Sequence, residues 1–177
     1  MSPYLIRAHA AVRPISEVLV WNRTQATAER LARALDGKGG LSVRATDDLE
    51  GGMRGADVVS CATVSDKPLV LGEWLTPGPH LDLVGAFRPE LRESNDEAVR
   101  KARFFVDTRG GTLSEAGDMV QPIEAGIISA DDVAADLFEL CRGEKAGRRF
   151  YDQITLFKST GTAIEDLATA IHIFRKT

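Results

Sequence analysis

Long apolar runs, clustered basic charge and a cysteine framework are all missing from this chain. No stretch approaches the length of apolar sequence needed to cross a bilayer, so no membrane partner is expected. Lys and Arg form no run and the net charge is −4, which leaves no electrostatic footprint for nucleic acid or an anionic membrane. Cys61 and Cys141 are too few and too far apart for a disulfide framework or a zinc site. The histidines His9, His80 and His172 have no metal-ligand spacing, so no metal is expected. A reducing, cytoplasmic setting is the default expectation. Arg7, His9 and Arg13 interrupt the first residues, and no small-residue cleavage site follows an apolar stretch there. The segment reads as amphipathic rather than as a secretory signal. There is no internal repeat and no low-complexity tract.

What is present suits an ordinary globular domain: 177 residues, 44% hydrophobic and 27% charged, enough for one core. Strand-like runs alternate with helical stretches, the pattern of parallel βαβ units. A helix is expected over 3–12, a strand over 17–21, and a helix over 25–36 with Thr24 before it and Gly37 after it. A weaker strand follows over 41–45. A short helix begins at Asp47 or Asp48 and closes at Gly55. The run 57–62 reads as a strand buried on both faces. Further strands are expected over 80–85, 103–107 and 154–157, with helices over 94–101, 131–142 and 161–173. Between 110 and 130 the chain is Gly-rich and polar, with one helical turn expected near 113–116. Asp131 and Asp132 suit the start of the helix over 131–142, and Glu165 and Asp166 the first turns of the last one. Trp21 and Trp74 read as packing residues.

The fold class implied is α/β, a Rossmann-type doubly wound parallel sheet. Such a domain opens on a strand, a glycine-rich turn and a helix, with an acid at the end of the second strand about 20 residues beyond the glycines. Here the first element is a helix, and the position of the acid falls at Asn22. The expectation is therefore an N-terminally truncated domain, with the first strand and glycine turn missing. Such a chain is expected to bind a cofactor weakly and to turn nothing over by itself. At Asn22, Arg23 and Thr24 an acid would repel a 2′-phosphate, whereas these side chains offer it donors. That favours NADP(H), with NAD(H) second. Arg23 as a solvated charge and Thr24 as a simple helix cap is the competing explanation.

Several runs, taken in order, resemble the ornithine cyclodeaminase/mu-crystallin family. They are Val20-Trp21-Asn22-Arg23-Thr24; Gly55-Ala56-Asp57-Val58-Val59 with Ala62-Thr63; Gly72-Glu73-Trp74-Leu75 with Pro77-Gly78; and Val84-Gly85-Ala86-Phe87-Arg88-Pro89 with Arg92-Glu93. Phe105-Val106-Asp107-Thr108, Glu115-Ala116-Gly117-Asp118, and Thr155-Leu156-Phe157-Lys158-Ser159-Thr160-Gly161 with Glu165-Asp166 complete the set.

The resemblance implies a nicotinamide cofactor, a small amino or imino acid substrate, and a homodimer for the full-length protein. It implies an NAD(P)-binding domain over 1–153. Residues 154–177 would form a strand and helix returning to a substrate and dimerisation domain. It places Asn22, Arg23 and Thr24 at the adenosine ribose, and Ala62, Thr63 and Val64 beneath the phosphates and nicotinamide ribose. Val84, Gly85, Ala86 and Ser159 fall at the nicotinamide. Phe87, Arg88, Lys158 and Gly161 fall toward the substrate. Thr63 could equally satisfy a turn, Gly85 serve only a turn, and Lys158 be a surface charge. The family's catalytic lysine and carboxylate-binding arginine are expected outside this chain. Ornithine cyclodeaminases carry an aspartate where Phe87 stands, and a phenyl ring moves no proton. The activity implied is therefore reduction of a cyclic ketimine such as pyrroline-2-carboxylate, or action on an amino acid. Ornithine cyclisation and non-catalytic NADP(H) or ligand binding are the alternatives.

Overall fold

The computed structural model describes residues 1–176. The chain divides into two compact units, Met1–Ala56 and Asp57–Thr177, each described by itself.

The first unit runs α1 (Ser2–Val12), β1 (Glu17–Val20), α2 (Gln25–Leu35), β2 (Ser42–Ala45) and α3 (Leu49–Arg54). β1 and β2 form a two-stranded parallel sheet, Glu17 opposite Ser42 through Val20 opposite Ala45. On α2, Ala28, Leu31, Ala32 and Leu35 recur at helical spacing. Ala28, Ala32 and Leu35 form a core with Val20, Leu41 and Val43, against which Leu31 packs. Gly37, at φ 75°, takes the left-handed conformation just beyond the helix. Asp48 caps α3 by accepting a hydrogen bond from the Gly51 N–H at 2.8 Å.

The second unit holds β3 (Val58–Cys61), β4 (His80–Leu83), α4 (Asp96–Lys101), β5 (Arg103–Val106), α5 (Arg109–Glu115), α6 (Gly117–Glu124), β6 (Ala135–Asp136), α7 (Leu137–Cys141), β7 (Thr155–Lys158) and α8 (Ala163–Phe174). Its five strands are all parallel, in the order β3-β4-β7-β5-β6. β7 lies between β4 and β5, with Leu81 opposite Leu156 on one side and Phe104 on the other. A boundary at 153/154 is thus not where the structure divides, because the strand after it is a central strand of this sheet. The last helix is different: no residue of α8 is buried, and Ile164, Leu167 and Ile171 are exposed.

Three expectations are corrected here. β3 is an edge strand of its sheet; Val58 and Val59 are half-buried and only Cys61 is buried, so the run is not covered on both faces. The Gly-rich segment contains two helices, α5 and α6, rather than one turn. Thr108 caps the first through the Gly111 N–H, which offsets the low helix propensity of Gly110 and Gly111. The helix expected over 131–142 is a 3₁₀ turn (Ala130–Asp132), the short strand β6 and then α7. Asp136 and Glu139 form a capping box that starts α7 only after β6 has paired with β5.

Candidate functional site

In parallel α/β sheets, ligands bind beyond the carboxyl ends of the strands. In the first unit that end is β1, followed by Trp21, Asn22, Arg23 and Thr24. Asn22 folds its carboxamide back, and its Oδ1 accepts from the Thr24 N–H at 2.9 Å. Thr24 is the N-cap residue of α2, although its side chain makes no capping hydrogen bond. Asn22, Arg23 and Thr24 are exposed. A cavity of about 390 Å³ here is lined by Trp21, Asn22, Thr27 and Arg30 among others. Arg30 is a cation that the sequence reading missed; Arg23 and Thr24 do not line this cavity.

In the second unit, the carboxyl ends of β3, β4, β5 and β7 carry a connected set of polar groups. Thr63, just past β3, donates from both its N–H (2.6 Å) and its Oγ1 (2.8 Å) to Glu93 Oε1. Glu93 is fully buried, and its Oε2 has no hydrogen-bond partner. Ala62 is half-buried beside Thr63, and Val64 is exposed. Past β4, Val84 is half-buried and its N–H donates to Cys61 O at 2.8 Å, while Gly85 and Ala86 are buried. A Cβ on Gly85 would collide with Thr63 O and Glu93 Oε1. The glycine is therefore required by the Thr63–Glu93 pair packed against it. Ala86 has φ 49°, a left-handed conformation uncommon for alanine. Phe87 then emerges with 45% of its surface exposed, and the Arg88 guanidinium lies 5.6 Å from its ring centroid.

Lys158, at the end of β7, is fully buried and is not a surface charge. Its Nζ donates to the carbonyls of Leu83 (3.1 Å), Gly85 and Ser159 (3.1 Å), which uses all three of its protons. It also stands 4.0 Å from Asp118 Oδ2. Burial pulls the Lys158 pKa below the usual lysine range, although Asp118 and Glu93 oppose the shift. Asp118, buried on α6, accepts at Oδ1 from the N–H groups of Glu93 (3.0 Å) and Ser94 (2.7 Å) and from Ser94 Oγ (2.8 Å).

Asp107, after β5, anchors the stretch after β7. Its Oδ2 accepts from Ser159 Oγ (3.1 Å) and from the N–H groups of Thr160 and Gly161 (both 2.7 Å). Its Oδ1 accepts from the Thr108 N–H (2.6 Å) and from Thr112 Oγ1. Burial alone would push the carboxyl up. The bonds from Thr112, Thr108, Thr160 and Gly161 together outweigh it and hold Asp107 below the usual carboxylate range. Gly161 turns the chain at φ 83°.

The structure thus brings Thr63, Gly85, Lys158 and Ser159 to one end of one sheet. It adds Glu93, Asp107 and Asp118, to which the sequence reading gave no role. Their signal was present, since each lies in a run quoted for the family resemblance. Among the described residues no group of three or more His, Cys, Asp and Glu could hold a metal ion, and no helix is long and apolar enough to cross a membrane.

Comparison with known proteins gives the chain a family and relatives of the same fold. A Delta(1)-pyrroline-2-carboxylate reductase of Paracoccus denitrificans is 41% identical over 172 residues, covering 97% of this chain and 54% of that protein. The ketimine reductase mu-crystallin of Rattus norvegicus is 38% identical over 154 residues, 87% of this chain and 45% of that protein. The structure of a Thermococcus litoralis Delta(1)-pyrroline-2-carboxylate reductase in complex with NADH and L-proline superposes with a TM-score of 0.91 at 34% identity, covering 94% of this chain and 51% of that one. The chain spans about half the length of the curated relatives it matches. The family profile matches residues 1–177, and the chain belongs to the ornithine cyclodeaminase/mu-crystallin family.

Proposed function

We propose that this chain is the dinucleotide-binding part of an NAD(P)-dependent oxidoreductase that reduces a cyclic ketimine such as pyrroline-2-carboxylate. The observation that carries the reading is the strand end at 84–87. Beyond buried Gly85 and Ala86 the chain presents an exposed phenyl ring and no carboxylate. The named activities of the two curated relatives point the same way. Bound nicotinamide would supply the hydride for the imine carbon. Val84, Gly85, Ala86 and Ser159 would orient the ring, with Ala62, Thr63 and Val64 beneath the phosphates and nicotinamide ribose. Phe87 would give the substrate an apolar wall, with Arg88 and Gly161 on the same side. The buried ammonium of Lys158 would act through the carbonyls it holds. Homodimerisation and the docking of α8 on a substrate domain belong to the same proposal. For the whole protein the expected outcome is imine reduction well above ammonia release from ornithine. Comparable rates in the two assays would refute the reading of Phe87.

For the cofactor we propose a preference for NADP(H), supported by Asn22, Arg23 and Thr24 standing exposed where an acid would bind the ribose of NAD(H). Titrating NADPH and NADH into the chain and into Arg23→Ala tests it. The substitution is expected to weaken NADPH by about tenfold to a hundredfold, the value of a lost charge-assisted contact, and to leave NADH nearly unchanged. Equal affinities in the unsubstituted chain would sink the preference. NAD(H) is the second reading, favoured by the NADH in the Thermococcus litoralis structure.

A further inference from the structure

Three ionisable side chains with no exposed surface meet beneath the strand ends: Lys158, Asp118 and Glu93. One cation faces two carboxyls in a region where an uncompensated charge is costly. Lys158 gives its three protons to carbonyls and none to a carboxylate, so it compensates through space alone. Asp118 has three donors on Oδ1, and its Oδ2, like Glu93 Oε2 without a hydrogen bond, stands 4.0 Å from the ammonium. Burial pushes the Asp118 pKa up as well, while those donors and Lys158 pull it back; it differs from Glu93 in having more donors and the ammonium close by. Glu93 has two donors, both from Thr63, and a buried Oε2 with no partner.

Resting on the dinucleotide-binding reading above, we propose that Glu93 is a positioning residue. As a neutral acid it clamps the N–H and hydroxyl of Thr63 and fixes the loop after β3 against Gly85, while Lys158 and Asp118 carry the cluster's opposed charges.

The surroundings support a neutral Glu93. Burial pushes its pKa up, the two bonds from Thr63 pull it back, and the Asp118 carboxylate raises it further against the pull of Lys158. The other groups facing the cluster add no cation. They are the Cys61 thiol on β3, itself held protonated by burial and the surrounding carboxylates, Asp82 on β4, which accepts from Ser60 Oγ at 2.7 Å, and Asp107 after β5. Because the folded pKa lies above the ordinary value, the stability contributed by protonated Glu93 is present at low pH and is lost as pH rises through the folded pKa.

The test compares the full chain with Glu93→Gln and Glu93→Ala by NADPH fluorescence titration from about pH 5 to about pH 9, the span over which buried Glu residues ionise. Hydrogen exchange of the Thr63 amide is followed in parallel. Gln keeps a carbonyl acceptor without an ionisable proton. It is expected to hold affinity within about twofold at the acid end and Thr63 protected, whereas Ala loses about tenfold in affinity, or 1.4 kcal/mol, and speeds exchange at Thr63. The ratio of unsubstituted to Gln affinity is expected to fall as pH rises, a dependence that a purely structural contact would not produce. A constant ratio, a Gln variant as weak as Ala at the acid end, or an Ala variant equal to the parent would overturn the proposal. If Glu93→Ala fails to fold, the Gln variant and the pH ratio still decide. Failure of the unsubstituted chain to bind any dinucleotide would count against the cofactor reading instead. Exchange at Thr63 in the Gln variant, slow or fast across the same pH range, would then judge the clamp.

Discussion

Replacing Lys158 with Met is expected to lower stability by about 3–5 kcal/mol, the cost of leaving a buried charge without its partner. The ammonium is fully buried, satisfies three backbone carbonyls and stands against Asp118. Met fills much of the volume but offers the carbonyls of Leu83, Gly85 and Ser159 no donor. Urea denaturation reads the effect as a drop in midpoint at unchanged slope. The double variant Lys158→Met, Asp118→Asn should recover part of the loss, because it removes the orphaned negative charge as well. A single-variant loss below about 1 kcal/mol, the scale of an exposed ion pair, would show that the lysine is not the electrostatic centre of the strand ends.

Asp107→Ala is the second large effect. It removes the acceptor for the N–H groups of Thr108, Thr160 and Gly161 and for the hydroxyls of Ser159 and Thr112. The expected cost is about 3 kcal/mol or more, since hydrogen bonds to a charged acceptor are worth roughly 1.5–3 kcal/mol each and do not add fully. The pH dependence has a definite sign. The folded pKa lies below the ordinary Asp value, so this contribution is present above the ordinary value and fades as pH falls through the folded one. The stability gap between the parent and Asp107→Asn, measured by denaturation at neutral and acid pH, should therefore narrow on acidification. A gap that widened would mean that Asp107 folds as the neutral acid.

Much of this was legible from local pattern. The helix after Thr24, the left-handed Gly37 and the strand leading to Gly85 follow from spacing and from conformations that few residues other than glycine adopt. Other features are not written locally. Nothing within 154–157 says that this strand enters between two others already present, because parallel pairing joins residues far apart in the chain. The break in 131–142 did have a local sign, the Asp136–Glu139 capping box, but the apolar spacing around it fits one continuous helix equally well. Of the residues proposed for the site, Asn22, Arg23 and Thr24 were singled out by their chemistry. Glu93, Asp107 and Asp118 were not: each lies in a run that resembles the family, but a carboxylate in a sequence reads first as surface. Only the fold brings each of them to buried donors from a distant stretch of chain.

The placement of β7 also sets an order of events for the second unit. His80 on β4 and Thr155 on β7 are opposite each other yet 75 residues apart in sequence. On a ribosome, β3, β4 and β5 emerge well before the strand that joins them. Until it arrives, β4 and β5 each present an open edge, the kind that templates pairing between chains. Such non-local parallel contacts form slowly, since the loop must close before any contact rewards it. Assembly of this sheet therefore waits for residues 155–158, and until they are made the open edges of β4 and β5 are free to pair with other chains.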